Sequence, residues 1–181
     1  MQNKKGNFTA KIIVYGALFA ALAAVLGQLL AIRPTESMKF TLDKFVLFLS
    51  GMFFGPLVGG MVGFAADFAG GMLLGRGFTL WLCFPAVFYG VCGGLFQGML
   101  AKKFTIPRLT LAYLVPTAIG AVLVQSVALA ATYGPFWENL LLNLGVRSVQ
   151  FAIMLVLEVT VIYLLVKIKV FNRVGLWPPV K

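Results

Sequence analysis

Asp67 is an isolated carboxylate inside the apolar, glycine-rich run FFGPLVGGMVGFAADFAGGMLLG. A charge near a bilayer centre costs roughly 2.5–3.5 kcal/mol on insertion scales, so such a group usually faces a cavity, a partner or a ligand. Two amides, Gln125 and Gln150, and three aromatics, Phe78, Trp81 and Phe84, fall at a similar depth when the chain is laid out as helices. Convergent amide and carboxylate groups beside flat rings suit a planar, hydrogen-bonding heterocycle. Ordinary packing is the commoner role for the aromatics. Arg33, Lys39 and Arg147 fall near one end of this set and form a basic entrance for an anionic solute. Interfacial snorkelling accounts for any one of them equally well.

The elements that must position these groups are membrane helices. Of 181 residues, 61% are hydrophobic and 11% charged, and mean hydropathy is +0.98. An ordinary soluble domain carries roughly 25% charged residues. With about 20 apolar residues per crossing, the sequence predicts an all-α integral membrane protein, a six-transmembrane-helix bundle. The expected spans are 10–32, 40–55, 56–75, 79–101, 108–132 and 143–169, in a single domain covering 1–181. Gly55-Pro56 marks a tight turn between the second and third. Lys4, Lys5 and Lys11 precede span one, Lys102, Lys103 and Arg108 join spans four and five, and Lys167, Lys169, Arg173 and Lys181 follow span six. The positive-inside bias then sets both termini in the cytoplasm. That leaves Arg33, Lys39, Lys44, Arg76 and Arg147 at or near the outer ends, and places Asp67, Gln125 and Gln150 in the outer half.

Several function classes are disfavoured. The net charge of +10 lies mostly in the cytoplasmic flanks and accompanies no nucleic-acid motif, so anionic lipid is the simpler partner. The first apolar stretch is too long for a cleaved signal and is followed by further spans. Cys83 and Cys92, nine residues apart in a chain without histidine, read as packing residues rather than metal ligands. An intramembrane enzyme lacks an obvious nucleophile and base. Glu158, near mid-span, would line a pocket floor, bond a neighbouring helix or face a partner, and a structural role is preferred.

Small residues supply the packing signature. Lipid gives helices no hydrophobic drive to associate, so close approach depends on small side chains. Gly59 and Gly63, then Gly90, Gly94 and Gly98, suit internal packing. Ala17, Ala20, Ala21 and Ala24 on span one suit either packing or docking to a partner.

The succession AIRPTESMKFTLDKFVLFLSGMFFGPLVGGMVGFAADFAGG, GFTLWLCFPAVFYGVCGGLF and ATYGPFWENLLLNLGVRSVQFAIML resembles the substrate-binding S component of an energy-coupling-factor (ECF) vitamin importer over nearly the whole chain. The GMFFGPLVGGMVGFAAD block is shared across the superfamily. The IRP element with Lys39, and the stretch from Tyr133-Gly134 to Arg147, tilt the likeness toward the folate branch. That resemblance implies capture of folate from outside a prokaryotic plasma membrane. Delivery would follow docking, through the span-one alanines, on a membrane coupling protein carried by two ATPases. No G-x-x-x-x-G-K-[ST] loop is present, so ATP would be hydrolysed by those partners and this chain would hold no cofactor. Asp67, with Gln125 or Gln150, would meet the pterin, while Arg33, Lys39 and Arg147 would meet the glutamyl carboxylates. Pantothenate, a hydroxymethylpyrimidine or a queuosine precursor as substrate, or a scaffold without ligand, are the alternatives.

Overall fold

Three helices meet where their glycines coincide. In this computed structural model the chain runs as α1 (Lys4–Gln28), an antiparallel ribbon of β1 (Ile32–Thr35) and β2 (Met38–Phe40), α2 (Asp43–Phe54), α3 (Pro56–Leu73), α4 (Leu80–Leu95), short α5 (Gln97–Lys102), α6 (Ile106–Pro116), a π-helical run over Thr117–Val124, and α7 (Phe136–Lys167). The backbone is described for residues 4–28, 30–35, 38–73, 80–102, 104–124, 126–127 and 136–168. Side chains are described for these except 4–9, 32–35, 38–39, 73, 80–82, 121, 136–144 and 146–147.

α2 is the central helix, with every residue from Val46 to Phe53 buried. It packs on α1, α3, α4 and α7. Its contact with α3 and α4 is backbone against backbone. A Cβ on Gly51 would run into the Gly90 carbonyl, one on Gly93 into the Phe48 carbonyl, and one on Gly94 into the Pro56 nitrogen. Gly59 and Gly63 are equally tight against Gly51, Gly90 and Ala86, whereas Gly98 faces open space, so the row of contacts ends at Gly94. The α2–α3 turn is made by Gly55 at φ 94°, a left-handed conformation that a side chain would strain. Tyr15 and Phe19 of α1 stack with Phe53 and Phe54 near this turn and fix α1 there.

A polar chain crosses the bundle behind α2. Tyr89 OH donates to Thr117 Oγ1 (3.0 Å), Thr117 Oγ1 donates to the Tyr113 carbonyl (2.8 Å), and Tyr113 OH donates to Glu158 Oε2 (2.7 Å). These bonds tie α4, α6 and α7 together. Glu158 is buried in the helix interface, so of its three readings the bond to a neighbouring helix is the one the geometry displays.

Among the described residues, Ala10–Gln28, Ile106–Val124 and Ser148–Lys167 are long and apolar enough to cross a membrane. Leu57, Met61, Phe64, Phe68 and Met72 form an exposed stripe along α3, an outward apolar face that suits lipid. The elements differ from the expected spans in three places. The helix expected over 79–101 breaks at Phe96 into α4 and α5. The one expected over 108–132 leaves α geometry after Pro116, which lacks an N–H for the ladder, and the Thr117 hydroxyl joins its own backbone N–H on the Tyr113 carbonyl. α7 starts at Phe136, ahead of the expected 143. The ribbon, joined by Ile32–Phe40 and Thr35–Met38 pairing, is an addition to the expected all-helical bundle.

Candidate ligand-binding site

Asp67 stands eleven residues beyond Pro56, about 17 Å up α3, and Asp43 stands eleven residues before Phe54, about 17 Å up α2. The tight turn at Gly55 puts the two carboxylates at one height. Between them lies a small cleft with a cavity volume of about 10 Å³, lined by Ala23, Ala24, Gly27 and Gln28 of α1, Asp43 and Leu47 of α2, Ala66 and Asp67 of α3, and Ala86 of α4. The alanines and glycines make its walls low. Asp43 lies close over Gly27, where a Cβ would be 3.0 Å from Oδ2, and Gln28 lies over Gly70, where a Cβ would be 2.8 Å from Cγ. The absent side chains make room for the polar ones. The buried Cys83 thiol of α4 faces Asp67.

Lys44 points the other way. Its Nζ is 5.2 Å from the centre of the Phe151 ring on α7 and 4.0 Å from Asp43 Oδ1, the latter too long for a hydrogen bond. The first turn of α2 thus presents a carboxylate toward α1 and α3 and an ammonium toward α7.

Of the ligand-binding residues singled out from sequence, Asp67 lines the cleft, and Gln150 and Phe84 do not. Gln150 is buried on α7, next to the Phe151 ring that carries Lys44. Phe84 is 47% exposed and stacks on Phe88 at 5.8 Å, on the side of α4 where Phe88 meets Gly120. Arg33 and Lys39 belong to the two strands of the ribbon, Trp81 to α4 and Arg147 to α7, with side chains outside the described set. Phe78 and Gln125 lie outside the described residues altogether. The four alanines divide: Ala17 and Ala21 are exposed, Ala20 is partly buried, and Ala24 is buried in the cleft wall.

Sequence reasoning missed Gln28 and Asp43. The available signal was scarcity, since Asp43 is one of five acidic residues in the chain. It was masked by position, because an acidic residue opening a helix is favoured by the dipole without any ligand. Among the described residues no three His, Cys, Asp or Glu side chains gather as a metal site requires.

Residues 7–169 match the family described as ECF-type riboflavin transporter, S component. The folate transporter FolT of Clostridium novyi (strain NT) is 28% identical over 173 residues, covering 91% of this chain and 95% of that protein. A crystal structure of FolT bound with folic acid shares the fold, with a TM-score of 0.74 over 84% of this chain and 90% of that one, at 24% identity. With the family match spanning nearly its whole length, the chain belongs to the ECF-type riboflavin transporter S component family and is a membrane transport subunit.

Proposed function

We propose that this chain captures folate outside a prokaryotic plasma membrane and hands it inward as the substrate-binding subunit of an ECF-type importer. The observation that carries the substrate is the 28% identity, across 91% of the chain, to the folate transporter FolT of Clostridium novyi. Both termini are cytoplasmic in this reading, so the cleft at Asp43 and Asp67 opens outward. Asp67 accepts hydrogen bonds from the pterin, with Gln125 as a further polar contact and Phe78 and Trp81 as stacking surfaces, while Gln150 and Phe84, which lie away from the cleft, drop out of the ring's surroundings. Arg33, Lys39 and Arg147 take the glutamyl carboxylates. A membrane coupling protein with two ATPases supplies the energy, and the exposed Ala17 and Ala21 form the part of the alanine row available for docking, with Ala20 at its edge and Ala24 turned inward.

Riboflavin is the second reading, favoured by the family description itself. Calorimetric titration of the purified chain in detergent, without ATPase subunits, separates the two. Saturable binding of folate, with none of riboflavin, pantothenate or a hydroxymethylpyrimidine, is the expected result. Binding of one of those three instead would keep the family and replace the substrate, and binding of none would remove the capture role.

A further inference from the structure

We infer that Lys102, Arg108 and Lys167 form a headgroup site for an anionic phospholipid at the end of the bundle away from the ribbon, whichever vitamin the chain carries. Gly94, near the end of α4, meets Pro56 at the α2–α3 turn, which sets α5 and the start of α6 at that end. The three cations come from three elements: the last residue of α5, the first turn of α6 and the last residue of α7. All three side chains are exposed. An aromatic stack gathers them. Phe104, in the linker between α5 and α6, lies flat on Tyr163 of α7, with ring centres 6.1 Å apart and planes 7° from parallel. Lys167, one turn further along α7, holds its Nζ 5.8 Å from the centre of the same Tyr163 ring. Leu100 and Leu109, both fully buried, anchor the linker on either side of the stack. Lys102 and Arg108 flank Phe104 in this anchored segment and are thereby held beside the end of α7.

No carboxylate answers this charge. The five acidic residues are Glu36, Asp43, Asp67, Glu138 and Glu158. Glu36 falls between the two strands in sequence, Glu138 belongs to the first turn of α7, and Asp43 and Asp67 stand about 17 Å up from the α2–α3 turn. Glu158 is nine residues before Lys167, about 14 Å along α7, and is buried and bonded to Tyr113. Among the described residues, Lys102, Arg108 and Lys167 form no ion pair, and the pair present is Asp43 with Lys44. Snorkelling explains where one such side chain reaches, but not why three elements are stapled together to hold like charges side by side. A shared anion explains that. Apolar side chains border the cations, since Ile106 of α6 and Leu164 and Ile168 of α7 are exposed. In a membrane, hydrocarbon covers such side chains, so a molecule that meets both the apolar surface and the cations is a lipid with a negative headgroup.

The test is native mass spectrometry of the full chain released from detergent, loaded with equal amounts of dioleoylphosphatidylglycerol and dioleoylphosphatidylcholine. One cation near an anionic lipid surface is worth about fivefold in attachment, so wild type should retain the glycerol lipid over the choline lipid by about tenfold or more. The triple variant Lys102→Gln, Arg108→Gln, Lys167→Gln should bring that preference to within about twofold of parity. Removing the same charge from the start of α1, with Lys4→Gln, Lys5→Gln and Lys11→Gln, should leave the wild-type preference within about twofold. Tyr163→Leu keeps every charge and loses the ring under Lys167, and should lower the preference by about threefold. Exposed substitutions of this kind leave folding nearly unchanged. Equal losses in the two triple variants would show attraction by diffuse charge and overturn the site. Equal retention of both lipids by wild type would overturn it as well. Displacement of the glycerol lipid by millimolar inorganic phosphate would assign the cations to a free anion and overturn the lipid as occupant.

Discussion

The glycine crossing and the cleft lie on the same helices and are built by opposite rules. Gly51 is about 12 Å from Asp43 along α2, and Gly59 is about 12 Å from Asp67 along α3. At the crossing, backbones touch and no side chain intervenes. At the cleft, polar side chains reach inward, and two of their oxygens have no hydrogen-bond partner among the described residues. The tight part fixes the height and angle of α2 and α3, and that is what holds the two carboxylates in register. Rigid elements carry the site and hold its polar groups in place.

The contrast is sharpest in the two kinds of damage it predicts. Gly51→Ala drives a Cβ into the Gly90 carbonyl and should cost about 3 kcal/mol or more of stability. Thermal unfolding in detergent reads this directly, and an unshifted midpoint would break the distinction between the regions. Asp67→Asn should do the reverse, weakening folate by about 1.5–3 kcal/mol with the midpoint unchanged; intact affinity would move the pterin elsewhere. Tyr113→Phe removes the donor to Glu158 Oε2 and should destabilise by about 1–3 kcal/mol while sparing folate affinity, since that bond lies behind α2 and outside the cleft. The smallest effect is Lys44→Met, which gives up the contact with Phe151, worth about 0.5–1 kcal/mol in the same melting assay. A larger loss there would give Lys44 a greater share in holding α2 to α7.

Hydropathy and small-residue spacing made the bundle and its glycine contacts legible, because both depend on residue type at helical intervals. The break at Phe96 was not, since the flanking Gly94 and Gly98 read as packing residues. The π-helical run had a visible cause in Pro116, but the hydroxyl of Thr117 that completes it is an ordinary residue until its partner is known. For the site, Asp67 was legible from cost alone: a carboxylate amid apolar residues needs a reason. Gln28 and Asp43 were not, because they end one helix and begin the next, where polar residues need none. Gln150 and Phe84 were grouped with Asp67 by depth, and depth does not specify the face of a helix. The first turn of α2 sends Asp43 and Lys44 toward different neighbours, a separation that linear spacing cannot reveal.

The shortness of α2 has an electrical consequence. Its twelve residues span about 18 Å against a hydrocarbon core of about 30 Å, and α3 continues six residues, about 9 Å, beyond Asp67. The two carboxylates are therefore recessed below the end of α3, partway into the membrane field. Moving one elementary charge through the whole of that field is worth about 2.3 kcal/mol per 100 mV. Only a ligand group carrying charge to that depth does work against a fraction of it, so a neutral ring bound there leaves affinity independent of the resting potential, whereas a charged one ties the two together.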